Sequence, residues 1–381
     1  MHRLIQFVCF ASTTALVALN ATAQPVWLTG DLGWHISAVV AEESIGQGLP
    51  VLALDQADWP RYLPNPVTQG RAFRSLKAEL GASHKSGWRV AAVTRTQAWL
   101  DASPDAVRMA ALEAQGANPT GASHFQVNAK SESWQGSGVT LGTPWWPLDL
   151  AGVWQWQADL TWLKLQQLRL ADASGTVTYR GAGGYDFDLR SQRSNLDVTG
   201  RFLAPSGDIG AGASLSLAVQ GQPLPGWRLA LRADDVLSKL HWDDLATDSN
   251  ALQSQNTSRA PDGTLNYAAL LNGKKELLPI ATQIGPQWHA ELGWAIQKDQ
   301  VLGRELTLKL SRQAGINQHW MGWKSSCGQC AAPQWHVEFE PSWKAARMEV
   351  RWMHWTALLA TDGKGMAAQL RQFKMGWQLA F

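Results

Sequence analysis

The chain has 381 residues, 45% of them hydrophobic, with 33 basic against 31 acidic side chains and a formal net charge of +2. So even a balance leaves no electrostatic footprint for nucleic acid. No segment after the N-terminal one approaches the ~20 uninterrupted apolar residues of a membrane helix, which excludes a helical membrane protein but not a β-barrel, whose strands are only half apolar.

The N-terminus reads as an export signal. Arg3 supplies a positive start, Leu4 to Leu19 an apolar stretch, and Ala21-Thr22-Ala23 a small-x-small cleavage site before Gln24. Residues 1–23 are therefore expected to be removed, leaving 24–381 as a single exported domain with a net charge of about +1.

From there, period-two alternation of apolar and polar residues dominates. It predicts sixteen strands, approximately 33–42, 73–82, 88–97, 123–142, 153–170, 175–190, 195–204, 209–220, 225–234, 273–282, 286–297, 303–311, 315–323, 333–341, 345–355 and 371–381. Fourteen is the alternative, because 123–142 and 273–282 carry the weakest pattern. Ala173-Ser174-Gly175 is expected to turn between 153–170 and 175–190. An even count puts both termini on one side. Brief turns such as Ser83–Gly87, Ser191–Ser194, Gly221–Leu224 and Ser342–Lys344 then share that side, and the long connections 43–72, 98–122, 235–272 and 356–370 fall opposite. One of these carries a predicted helix: Ser103 caps it, Pro104 suits its first turn, Ala106–Gln115 has the propensity and Gly116 ends it.

Tryptophan is the compositional oddity, at 22 residues against 4 Tyr and 9 Phe. Indole has an apolar body and one polar N–H, so it settles at membrane–water interfaces, although sugar-binding proteins also use it for stacking. Trp154 and Trp162 lie eight positions apart in one alternating run, ~26 Å along a strand, which suits the two ends of a tilted membrane strand. Trp154, Trp162, Trp288, Trp294 and Trp352 are the expected aromatic girdle.

The last eleven residues are the sharpest signal. Phe373, Met375, Trp377, Leu379 and Phe381 share one face of a strand, with Gln372, Lys374, Gly376, Gln378 and Ala380 on the other. This segment, ending on an aromatic residue, resembles the closing strand of Gram-negative outer-membrane β-barrels. The resemblance covers about eleven residues and marks a class rather than a family. It implies a closed, all-β antiparallel transmembrane barrel in the outer membrane, with lipid around it and the barrel-assembly machinery as its partner in biogenesis. Deleting Phe381 is then expected to impair membrane insertion while leaving export intact, and an undiminished yield of heat-modifiable barrel would overturn that.

The opposite faces of the strands carry mixed charge. Arg228, Arg232, Glu291, Glu338, Glu340, Arg347 and Arg351 are expected to face the lumen, where they either line a water-filled pore or pair across it and block it. Asp234, Asp235, His241, Asp243, Asp244 and Asp248 read as a solvated acidic loop, with Leu237, Leu240, Trp242 and Leu245 apolar enough to fold back as a lid or plug. Cys327 and Cys330 are expected to close a small disulfide in an exterior loop, since export places them in an oxidising compartment. No metal site, cofactor or hydrolytic constellation is expected; His35, His289 and His336 are isolated. The expected function is a porin-like channel for a small polar solute. The alternatives are a plugged structural or surface-interaction barrel and a soluble periplasmic Trp-rich glycan-binding β-protein.

Overall fold

A computed structural model describes residues 33–54, 56–64, 67–149, 153–181, 184–195, 210–254, 257–259, 265–267, 271–298, 303–326 and 333–380. Its strands are β1 (Trp34–Gln47), β2 (Gly70–His84), β3 (Arg89–Ala102), β4 (Ser123–Gly142), β5 (Trp146–Leu148), β6 (Val153–Gly181), β7 (Gly184–Asn195), β8 (Gly210–Gln222), β9 (Trp227–Gln253) and β10 (Thr257–Arg259). They continue as β11 (Leu265–Tyr267), β12 (Leu271–Thr282), β13 (Gln287–Lys298), β14 (Gly303–Gln313), β15 (Ile316–Ser326), β16 (Gln334–Glu340), β17 (Ala345–Trp352), β18 (Trp355–Thr361) and β19 (Leu370–Ala380).

Antiparallel pairing runs β1-β2-β3-β4-β6-β8-β9-β13-β14-β15-β16-β17-β18-β19 and returns to β1, a closed ring of fourteen staves. The seam is fully paired from His35↔Ala380 to Ile45↔Leu370. The architecture is thus the all-β closed barrel that the resemblance implies, with the smaller of the two stave numbers.

The difference has a definite cause. β6 and β9 are much longer than one crossing, and two strands share the lane beside each. Between β6 and β9, β7 pairs with their distal halves and β8 with their proximal halves. On the other side of β9, β12 lies distally and β13 proximally. The expected turn at 173–175 is unbroken strand within β6, and 175–190 and 273–282 are extensions rather than separate staves. The expected strand 195–204 falls almost wholly outside the described residues. The loop expected at 356–370 instead contains most of β18.

Sidedness changes accordingly. The end holding Trp34 and Ala380 also holds the β2–β3, β8–β9 and β17–β18 turns. Ser342–Lys344 lies at the opposite end, and Ser191–Ser194 belongs to β7. Ser326 and Gln334, which flank the Cys327–Cys330 segment, both lie at the terminal end, whereas the expected sidedness put this connection at the opposite one. The two cysteines themselves lie outside the described residues.

The two faces of the ring differ in chemistry. Outward residues form an apolar belt: Val40, Leu80, Val139, Leu231, Leu306, Leu308, Leu310, Val337, Phe339, Met348, Leu359 and Met375 are all exposed. Inward residues are buried and largely polar, among them Gln97, Thr140, Asp159, Thr307, His336, Glu338, Glu349 and Gln372. That is the reverse of a water-soluble fold.

Distally, the belt is covered by the chain itself. Helix α1 (Pro104–Gln115) begins on Ser103, whose hydroxyl accepts from the Ala106 N–H at 3.2 Å, and ends at Gly116 in the left-handed region (φ 62°). Its Ala106, Val107 and Ala110 pack with Leu49, Leu54 and Trp59 of the β1–β2 connection. Together they cover Ala72, Leu100, Phe125, Val127 and Val177, which continue the outward faces of β2, β3, β4 and β6 beyond the belt.

Candidate functional site: the barrel interior

Proximally, the inner wall is lined by ion pairs made from side chains that alternate with the belt. Arg228 on β9 pairs with Glu291 on β13 and, at 3.0 Å, with Glu305 on β14. Lys309 reaches Glu291 at 3.3 Å and Glu338 at 3.1 Å, and Glu338 also holds Arg347 at 3.2 Å and His336 at 3.5 Å. A second series runs from Glu79 through Arg89, Asp159 (3.0 Å) and Arg232 (3.6 Å) to Asp234 (2.8 Å). Arg351 pairs with Glu349 at 2.8 Å on its own strand. Inward glycines make room for this lattice: a methyl group at Gly293 would overlap the Glu305 carboxylate, and one at Gly322 the Glu338 side chain. Of the residues expected in the lumen, Glu340 differs. It is buried at the distal end and accepts the Trp343 N–H at 2.6 Å, fixing the β16–β17 turn.

Distally, walls that are not neighbours in the ring touch. β3 and β9 are separated by three staves, yet the Arg95 guanidinium donates to both carboxylate oxygens of Asp235, at 2.8 and 2.6 Å, and lies 5.5 Å from the Trp134 ring. Asp235 reaches inward because β9 bulges there. Leu217 and Leu215 on β8 face Ala233 and Leu237, so two extra residues are looped out, and Asp235 sits at φ 55°. Above the pair, Val93, Trp134, Leu163, Leu165, Leu168, Leu240, Trp242, Leu245 and Ile284 form an apolar cluster inside the ring. On the far side, Ile45 and Phe73 of β1 and β2 meet Ile316 of β15, again across the interior.

The segment expected as a solvated acidic loop is therefore strand. Asp235 is held by Arg95 and Asp248 by Arg193 at 2.8 Å, while Leu240, Trp242 and Leu245 fill the interior and Leu237 points outward. Arg95, Trp134 and Ile316 were not among the expected site residues. Arg95 shares its inward parity with Arg89, and that alternation was the available signal.

The tryptophans are unevenly spread. Trp34, Trp88, Trp146, Trp154, Trp294, Trp335, Trp352 and Trp355 crowd the terminal end, with Trp227 and Trp294 stacked at 5.9 Å. Trp162 and Trp288 mark the distal edge of the belt. Phe373 and Met375 are exposed on the outward face of β19, with Trp377 and Leu379 half-buried on the same parity, and Phe381 lies outside the described residues. Among the described residues no group of three or more His, Cys, Asp or Glu side chains could hold a metal ion.

A closed antiparallel ring, apolar outside and ionic within, defines the class: a β-barrel of the outer-membrane type. No protein-family model matches this sequence, and comparison with curated proteins finds no match. Among solved structures the chain is similar to the translocator domain of the autotransporter NalP from Neisseria meningitidis, at 10% identity and a TM-score of 0.34, over 93% of this chain and 90% of that one. It is also similar to the Pseudomonas putida toluene transporter TodX, at 8% identity and a TM-score of 0.38, over 92% and 90%. A third similarity is to the β domain of the Bordetella autotransporter BrkA, at 12% identity and a TM-score of 0.30, over 92% and 100%.

Proposed function

We propose that the chain is an outer-membrane channel for small polar solutes whose distal end is held shut in the described conformation. In this reading residues 1–23 are a cleaved signal, residues 24–381 form one barrel domain, and Cys327 and Cys330 form a disulfide at its periplasmic end. Lipid surrounds the belt, including Phe373, Met375, Trp377, Leu379 and Phe381, while Trp154, Trp294 and Trp352 sit at one interface and Trp162 and Trp288 at the other. Supporting this, a water-soluble monomer rarely exposes apolar patches beyond a few hundred Å², whereas here the exposed apolar residues run around the ring.

The observation that carries the channel reading is the contact across the interior between staves that are not neighbours. Its members are an ion pair and apolar side chains rather than a folded plug: Arg95 with Asp235, and Ile45 and Phe73 with Ile316. An apolar layer above a charged, hydrated one resists ion passage by dewetting, and it opens when its walls part. The reading assigns no catalysis to the interior.

The test is single-channel recording in planar bilayers. Wild-type protein is expected to stay mostly closed, and Arg95→Ala combined with Asp235→Ala, which removes both charges at once, to give frequent open steps. A double variant that folds, shown by heat-modifiable mobility, yet is as silent as wild type would favour the plugged structural barrel. Mature protein that is monodisperse in buffer without amphiphile would instead favour the soluble glycan-binding alternative.

A further inference from the structure

The terminal end of the interior opens into a cleft of about 520 Å³ bounded by β1 and β16 to β19. His35, Ser37, Gln334, Arg351, His354, Thr356, Lys374 and Gln378 supply its polar lining, and Trp355, Trp377 and Met353 its rim. Among the described residues every fixed charge in that lining is positive: Arg351 and Lys374 contribute cations, and no Asp or Glu is among them.

Among the described residues most other inward cations are neutralised, Lys324 at the terminal end of β15 being the exception. Arg228, Arg232, Lys309 and Arg347 each have a carboxylate partner. Lys374 is different. Among the described residues it has no ion-pair partner; the charges acting on it are Arg351, Arg347 and Arg232 against Glu349, and Glu349 is already engaged by Arg351. Lys374 is half-buried and takes the inward parity of β19, between the outward Phe373 and Met375. The cleft's rim is fixed rather than loose, because the Gln378 N–H donates to the His354 carbonyl at 2.9 Å.

A desolvated ammonium beside a guanidinium, with hydroxyl and amide groups around them, is matched by a small oxyanion that accepts from several donors at once. We propose that this cleft is a binding vestibule for a phosphate or carboxylate group, with Lys374 as its central contact and Arg351, His35 and His354 around it. Resting on the channel reading, this makes the solute anionic and has it bind at the periplasmic end. An anion there supplies Lys374 with the counter-charge that the described side chains do not.

The test is isothermal titration calorimetry on the full mature chain in a zwitterionic detergent, with inorganic phosphate as the probe and sodium chloride at matched ionic strength as the blank. Saturable phosphate binding is expected, weakened about tenfold by Lys374→Gln and restored by Lys374→Arg. No saturable heat in wild type, or equal binding by Lys374→Gln, would overturn the proposal. A parallel titration with micelles carrying phosphatidylglycerol separates the two sources of a phosphate group. Binding to the lipid alone would overturn the solute assignment and make the cleft a headgroup site. Because binding is read without conductance, phosphate binding by a barrel whose Arg95→Ala and Asp235→Ala double variant stays silent would sink only the channel reading, and open steps from that variant without phosphate binding by the wild type would sink only the vestibule.

Discussion

Glu338→Ala is expected to destabilise the barrel by about 3–5 kcal/mol, the usual cost of leaving a buried charge without its partner. The Glu338 side chain is 1% exposed and stands between Lys309 at 3.1 Å and Arg347 at 3.2 Å, with His336 at 3.5 Å. Its loss leaves two cations facing each other. Lys309 retains Glu291 at 3.3 Å, but among the described residues Arg347 is left with the Trp320 ring at 5.8 Å. The urea midpoint of vesicle-reconstituted protein, followed by heat-modifiable mobility, measures the effect. Adding Arg347→Met to Glu338→Ala should recover a large part of the loss, because the orphaned charge is then gone. An unchanged midpoint in the single variant would show that interior water replaces the carboxylate at little cost.

Leu308→Arg should be nearly as damaging, at about 2–4 kcal/mol, for a different reason. Leu308 lies midway along the outward face of β14, opposite Leu292 and Met321, between the levels of Trp294 and Trp288. Arginine there places a cation in hydrocarbon. The same substitution on a water-facing surface would shift stability by only about 0.5 kcal/mol either way, so the variant also reports which solvent the belt meets. Folding yield into lipid vesicles is the readout, with Leu224→Arg in the β8–β9 turn as the control expected to behave like wild type. Equal yields from both variants would remove the membrane from the account.

The barrel was legible wherever one residue in two meets a different solvent. The outward parity of β13, β14, β16 and β19 follows directly from alternation, and the cap, proline and glycine of α1 gave its position to within two residues. Reading failed where strands run on past the belt. Gly175 looks like a turn residue but lies mid-strand, where a methyl group would collide with the Asp188 backbone of β7, so glycine marks a close approach of two strands. The aspartates of β9 looked like loop because their partners are remote in sequence, Arg95 for Asp235 and Arg193 for Asp248.

These misreadings compound. Counting 175–190, 195–204 and 273–282 as staves adds an odd number, which inverts the sidedness of everything from β13 onward. Overlooking β18 then restores it in time for β19. The preference for sixteen staves over fourteen and the placing of the Ser342–Lys344 turn thus share one cause. The interior contacts were illegible for another reason: alternation says which side chains face inward, but not which of them reach across.

The pairing of Ile36 with Leu379 has a bearing on how this protein comes into being. Those two positions lie nearly the full polypeptide apart, so cylindrical closure waits on the slowest kind of encounter, one between remote chain ends rather than neighbouring hairpins. Until it happens, the first and last strands each offer a row of unclaimed amides and carbonyls to any other extended chain nearby. The hazard of mispairing therefore peaks in the interval before closure, when two edges stand open at once.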